Sequence, residues 1–198
     1  MADSELSYKE IHINHKDAIV TVLVDAEDYP LLSRHTWYIR STTYPNPPYA
    51  ATTIHAGNGR QEKKNLKVVP MHQIIMGVGN IDHRDGNTMD NRKHNLRKAT
   101  HQQNGWNKGK PKRARGAGCS SKYKGVLYAP MKGRDRWQAL IKYVEEGAHK
   151  STGKMIRLGY FWNEDDAARA YNAKIKELRG EFAWLNPVPE YRDTEKNG

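Results

Sequence analysis

The sequence predicts an α+β protein built from small antiparallel sheets and few helices. Three observations carry this. Runs of β-branched and aromatic residues of strand length recur in both halves of the chain, one segment near 163–179 has helical periodicity over four turns, and a basic stretch without acids lies between the halves. Hydrophobic residues make up only 37% of the 198, which suits two or three small cores better than one large one.

In chain order, AIVTVLVD (18–25), HTWYIRS (35–41) and PPYAATTI (47–54) read as three strands of a small antiparallel sheet within a β-rich region, 1–64. Trp37, Tyr38, Tyr44 and Tyr49 either fill its core or stack on bases, core being the commoner use of such residues. In KNLKVVPMHQIIMG the extended stretch ends at Val69-Pro70, and Met71, Ile74, Ile75 and Met76 fill one face of a short helix ending near Gly77. Asp85-Gly86-Asn87 is a turn, and the segment from about 91 to 103 is expected to be helical.

From Gly105 to Lys124 the chain has no Asp or Glu and too little apolar surface to fold alone. Residues 108–121 therefore read as a basic linker, with Lys108, Lys110, Lys112, Arg113 and Arg115 placed to track phosphates. YKGVLYAP, RWQALIKYV and MIRLGYF then give a three-stranded antiparallel meander with turns around 131–134 and 147–153. Asn163 is an N-cap, Glu164 to Asp166 complement the helix dipole, and Ala168, Tyr171, Ile175 and Leu178 recur at helical spacing before Gly180. Residues 188–198 form a tail.

Composition narrows function. With 33 Lys+Arg against 22 Asp+Glu, the net charge of +11 favours an anionic polymer as partner, because each cation on a phosphate releases condensed counterions. The single cysteine, Cys119, excludes an internal disulfide framework and a zinc site of several thiolates. No apolar run approaches the roughly 20 residues that cross a bilayer, and MADSELSYKEIHINHKD reads as neither secretion signal nor anchor. A reducing, cytoplasmic setting and no membrane partner are expected.

The chemistry concentrates between Met71 and Asn107, where MHQIIMG is followed by IDHRDGNTMDNRKHNLRKATHQQN. The succession of DH, DGN, DNR, HNLR and QN resembles the HNH endonuclease family, in the form common among phage and intron-encoded homing enzymes. The resemblance implies that 65–107 folds as two short strands and a helix around one divalent ion, and that it hydrolyses a phosphodiester. His83 falls where the family carries its general base, and an imidazole takes a proton from water near neutral pH. Asp82 and Asn104 would be the metal ligands, a carboxylate and a neutral carbonyl oxygen that suit Mg²⁺, with Mn²⁺ as alternative. Asn95, in the middle of the motif, would hold the loop carrying His83. His101 competes with Asn104 for the last position. His72 is expected to pack or touch a phosphate and His94 to face solvent, while His12, His15, His35, His55 and His149 show no ligand spacing. Without CxxC pairs, no structural zinc is expected.

From about 122 to 187 the chain resembles the AP2 DNA-binding domain, on the strength of YKGV, RWQALIKY, IRLGYF, EDDAARAYNAKIKELRG and the closing WLN. The resemblance implies a sheet that enters the major groove, braced from behind by the helix. Period-2 alternation lets one sheet face present Lys124, Arg136, Lys142 and Arg157 while Val126, Ala139 and Leu158 serve the core. Trp137 matches a tryptophan that contacts DNA in plant members and is equally at home in a core. Leu127 and Arg157 depart from the plant pattern, so DNA binding carries over and target specificity does not. The expectation is a site-specific, metal-dependent endonuclease acting as a monomer on double-stranded DNA and nicking one strand, in a phage-infected bacterial cell or similar. Its rivals are a non-catalytic sequence-specific DNA-binding regulator and an RNA-binding or RNA-cutting protein.

Overall fold

A computed structural model describes residues 7–41, 47–55, 66–77, 79–110, 121–130, 136–145, 147–148 and 152–190. The architecture is α+β, and the chain divides into two compact units, 1–104 and 105–198. No helix among the described residues is long and apolar enough to cross a membrane.

The first unit opens with a hairpin of β1 (Tyr8–His15) and β2 (Ala18–Asp25), paired from Tyr8 opposite Asp25 to His15 opposite Ala18. The polar sequence of β1 hides this strand, since only Ile13 in it is buried. After α1 (Tyr29–Leu32), strands β3 (Tyr38–Arg40), β4 (Tyr49–His55) and β5 (Leu66–Pro70) form a separate sheet in the order β3-β4-β5. The expected single sheet of 18–25, 35–41 and 47–54 is thus corrected: β1 takes the pairing edge of β2, and β5 takes the second edge of β4. Helix α2 (Met71–Met76) follows and stops at Gly77, whose φ of +82° suits glycine.

One core joins these pieces. Ile13, Val22, Val24, Leu32, Ile39, Ala50 and Met71 are buried together, with Trp37, Ile74, Ile75 and Met89 packed against them. Trp37 donates its Nε1 proton to the Leu32 carbonyl at 2.8 Å, so this ring is a core residue with a satisfied polar tip. Residues from 1–64 and from the motif segment therefore share a single hydrophobic cluster.

β6 (Ile81–His83) and β7 (Leu96–Lys98) form a short antiparallel pair, followed by α3 (His101–Trp106). The expected helix over 91–103 is corrected here, because Leu96 and Arg97 are buried by pairing with β6 and the helix starts only at His101. A reciprocal cap sets that start. The Gln103 N–H donates to Thr100 Oγ1 at 3.1 Å and the Thr100 N–H to Gln103 Oε1 at 2.8 Å.

In the second unit β8 (Val126–Tyr128), β9 (Trp137–Tyr143) and β10 (Lys154–Phe161) form the anticipated meander, in the order β10-β9-β8. Helix α4 (Glu164–Arg179) begins where Asn163 Oδ1 accepts the Asp165 N–H at 2.8 Å, and it buries Ala167, Ala168, Tyr171 and Ile175 against the sheet. Gly125 permits this approach: its φ is +75°, and a Cβ there would lie 2.1 Å from the Tyr171 ring. The buried Asn186 closes the unit, accepting the Lys124 N–H at 2.7 Å and donating to the Lys124 carbonyl at 3.0 Å. Lys112, Arg113, Arg115, Cys119, Tyr44, His149 and the turn at 131–134 lie outside the described residues.

Candidate active site and nucleic-acid interface

Asp82 and His83 sit side by side on β6, 5% and 6% exposed. The β6–β7 register places Arg97 opposite Asp82, and the guanidinium donates from Nε at 2.9 Å and Nη2 at 2.7 Å to Oδ2. His83 Nε2 lies 3.4 Å from Asn91 Oδ1. The Asn91 amide is oriented by its Nδ2, which donates to the Thr88 carbonyl at 3.2 Å, so Oδ1 can only accept and the imidazole proton belongs on Nε2. That tautomer makes Nδ1 the basic nitrogen. Burial holds the His83 pKa below the ordinary histidine value, against the opposing pull of the Asn91 bond and of Asp82, Asp85 and Asp90.

The loop after His83 is tied down from within. Asp85 Oδ1 accepts the Asn87 N–H at 2.7 Å, Gly86 turns with φ +77°, and Gly86 N–H reaches the His83 carbonyl at 3.0 Å. The buried Asn95 accepts the Asp85 N–H at 3.1 Å and donates to the Asp90 carbonyl at 2.9 Å, and its own carbonyl accepts the Arg84 N–H at 2.8 Å. Asp90 is clasped by Arg92, at 2.8 Å from Nε and 2.6 Å from Nη2, which holds its carboxyl below the usual range.

The hairpin β1–β2 grips the same loop. Leu23 donates its N–H to Met89 O at 2.9 Å and accepts the Asn91 N–H at 2.8 Å, a one-residue parallel bridge. Asp25 Oδ2 accepts the Lys93 N–H at 2.8 Å, and the Arg92 guanidinium lies 5.4 Å above the Tyr8 ring. His72, from α2, meets His83 edge to face with ring centroids 5.2 Å apart and lies against Tyr49 on its other side. Its Nδ1 is buried with no hydrogen-bond partner, and burial followed by the nearby His83 pushes its pKa down to about 4.

Half-buried Asn104, on α3, donates from Nδ2 to the Ile81 carbonyl at 3.4 Å, which brings its amide to the strand of Asp82 and His83; His101, three residues earlier, is exposed. His94 is exposed, and His12 contacts Thr21 and Glu10 at the surface of the hairpin. Among the described residues no three of His, Cys, Asp and Glu gather as a metal cluster. The donor types suit a hard divalent cation sparsely: Nδ2 of Asn104 is used on Ile81, which leaves its carbonyl oxygen, and the Asp82 carboxylate is shared with Arg97.

In the second unit Lys142 and Arg157 are exposed on the strands. The expectation that the same face presents Lys124 is corrected, because Lys124 precedes β8 and its side chain is mostly buried, whereas Arg136 directly precedes β9 and its carbonyl accepts the Ala129 N–H at 2.9 Å. Lys124 is mostly buried: its Nζ donates to the Trp106 and Lys108 carbonyls and lies over the Trp184 ring, and burial with nearby Arg179 lowers its pKa to about 8. Arg136 lies over Trp162, and Lys110 Nζ donates to the Ser121 carbonyl. Trp137 turns to the core, packing on the cluster of Tyr123, Val126, Ala139, Ala167 and Ala168 and edge-on to Tyr128.

Arg97 and Asn91 are the site residues that sequence reasoning passed over, and His72, expected to pack or touch a phosphate, packs against His83. A spacing of strand, turn and strand that puts Arg97 across from Asp82 was available as a signal for the first. Nothing local marks the second, whose partner His83 lies on β6. An uncharacterized HNH endonuclease of Acanthamoeba polyphaga mimivirus is 26% identical to this chain over 169 residues, 83% of this chain and 74% of the relative. The likeness supports a relationship to HNH nucleases. No family model and no solved structure matches the chain.

Proposed function

We propose that the protein is a metal-dependent DNA endonuclease of HNH type in which His83 is the general base, and that the second unit reads duplex DNA and directs the cut. The observation that carries this is the buried set of Asp82 and His83 on β6, Arg97 on β7 and Asn95 just before β7, with Asn104 of α3 tied to β6. His83 Nδ1 takes a proton from water as the water oxygen attacks phosphorus; the P–O bond to the leaving oxygen breaks, and that oxygen leaves as alkoxide to be protonated from solvent. Asn95 keeps the loop after His83 in one conformation, so that the imidazole does not need to reorient. Asp82 and Asn104 would hold a divalent cation, Mg²⁺ by donor type, which supplies positive charge for the developing negative charge. Nicking of one strand by a monomer follows from one such site per chain, with the homing-type likeness and the phage setting resting on the motif alone.

One observation favours a second reading, a non-catalytic DNA-binding regulator: Arg97 already neutralises Asp82. Supercoiled plasmid bearing candidate sites, incubated with wild type or His83→Ala in Mg²⁺ or in EDTA, separates the two. The nuclease reading expects metal-dependent nicking that falls by about 10²–10⁴-fold in His83→Ala while DNA binding persists. Binding without cutting under any divalent metal would establish the regulator.

A further inference from the structure

The sheet of the second unit has one side against α4 and another against which no other described element of this unit packs. Opposed residues of an antiparallel ladder point the same way, so the register sorts the side chains. Val126 with Ala139, Ile141 with Ile156 and Trp137 with Phe161 turn towards α4. Leu127 and Tyr160 with Gln138, Leu140 with Arg157, and Met155 with Lys142 turn away, the bulge between Arg157 and Gly159 keeping Tyr160 on this outer side.

The outer side combines two chemistries. Its charge is wholly positive: β8, β9 and β10 contain no Asp or Glu, whereas the first turn of α4, behind the sheet, carries Glu164, Asp165 and Asp166. A polyanion is therefore drawn to the outer side rather than to the first turn of the helix. Yet apolar groups are interspersed among the cations on that side. Met155 is 51% and Tyr160 50% exposed, and Leu127 and Leu140 belong to neither core cluster of the unit. Such groups gain nothing from phosphates. In the major groove, which admits a β-ribbon, the apolar group on offer is the C5-methyl of thymine.

We propose that the outer side of β8–β10 recognises thymine methyl groups in the major groove, with Leu140 and Met155 as the contacts and Lys142 and Arg157 as the cations that seat the sheet. The proposal deepens, and rests on, the reading of this unit as the DNA-binding part. It gives the unit a base preference that its few cations do not.

The full-length chain in EDTA is used to select binding sites from a randomised duplex pool, and the enriched site is remade with deoxyuridine for thymidine, which removes the methyl and keeps the pairing. Wild type is expected to bind the deoxyuridine duplex more weakly, by about fourfold per contacted methyl, the factor that burial of one methyl carries. Leu140→Gln and the solvent-side Met155→Gln are each expected to shrink that difference without altering salt dependence. Equal wild-type affinity for the two duplexes, or a difference undiminished in both variants, overturns the methyl proposal and leaves DNA reading intact. Failure to enrich any site, or enrichment indifferent to Lys142→Ala with Arg157→Ala, overturns the DNA-reading role itself.

Discussion

In the first unit Asp82, His83, Asp90, Asn91, Asn95 and Arg97 are almost wholly buried and bonded to each other or to the loop backbone. In the second unit the sheet's Lys142 and Arg157 stand in solvent, and the buried Ser121 and Asn186 serve to close the fold. The contrast suits the roles proposed for the two units. A general base gains from being held in one orientation in a poorly solvated place, where its field is little screened. A groove-reading surface has to keep its cations hydrated and available until counterions are displaced. The same contrast sets where each unit is fragile.

The most damaging single change should be Arg97→Met, which leaves the buried Asp82 carboxylate without its guanidinium. Urea unfolding is expected to show a loss of about 3–5 kcal/mol, and a loss below about 1 kcal/mol would mean that water already solvates the pair. Next is Asn95→Ala, which strands the Asp85 N–H and the Asp90 carbonyl. It should cost about 1–3 kcal/mol and slow nicking about 10–100-fold with DNA affinity unchanged; an affinity loss equal to the rate loss would place Asn95 on the DNA instead.

A smaller effect comes from His72. The unfolded chain takes up a proton at this residue near pH 6.5, the folded chain only near about 4. Within that window the unfolded state binds more protons, so stability falls as pH falls, and above it the effect vanishes. Thermal scans between pH 7 and pH 5 should show Tm of the wild type dropping more steeply than that of His72→Phe, which keeps the ring and loses the titration. Parallel slopes would remove His72 from the account. Smallest on stability, and sharpest as a contrast, is Lys142→Ala with Arg157→Ala. Unfolding should move by less than about 0.5 kcal/mol, while the salt dependence of DNA binding, as log K against log salt, should flatten by about 1.8.

The second unit was largely legible from sequence because its cues are local: alternation for three strands, the Asn163 cap, and helical spacing from Ala168 to Leu178. In the first unit local cues misled. Residues 91–103 satisfy helical spacing, yet Leu96 and Arg97 are taken by β6, a partner set by tertiary pairing. Likewise β1 carries too few apolar residues to signal a strand, and it exists because β2 offers an edge. For the candidate site, the residues named by motif lie where the chain folds back on itself, and motif spacing is what made them visible. Arg97, Asn91 and His72 lie in the same segment, but they touch the motif residues through strand pairing, loop folding and helix packing, which motif spacing does not encode. Trp137 shows the converse limit, since alternation alone gave it no side and the register turned it to the core.

The bridge at Leu23 also bears on how the chain is made and inherited. Asp25 and Lys93, which flank that junction, are 68 residues apart in sequence. At about 5–20 residues per second, a ribosome delivers the loop some 3–14 seconds after the hairpin, which must wait with an open edge until its partner arrives. A gene fragment encoding only the stretch from 65 onward would therefore yield the loop without the strand that holds it. A piece moved between genes keeps this support only if β1 and β2 travel with the motif, because Tyr8, Leu23 and Asp25 supply the contacts to the loop.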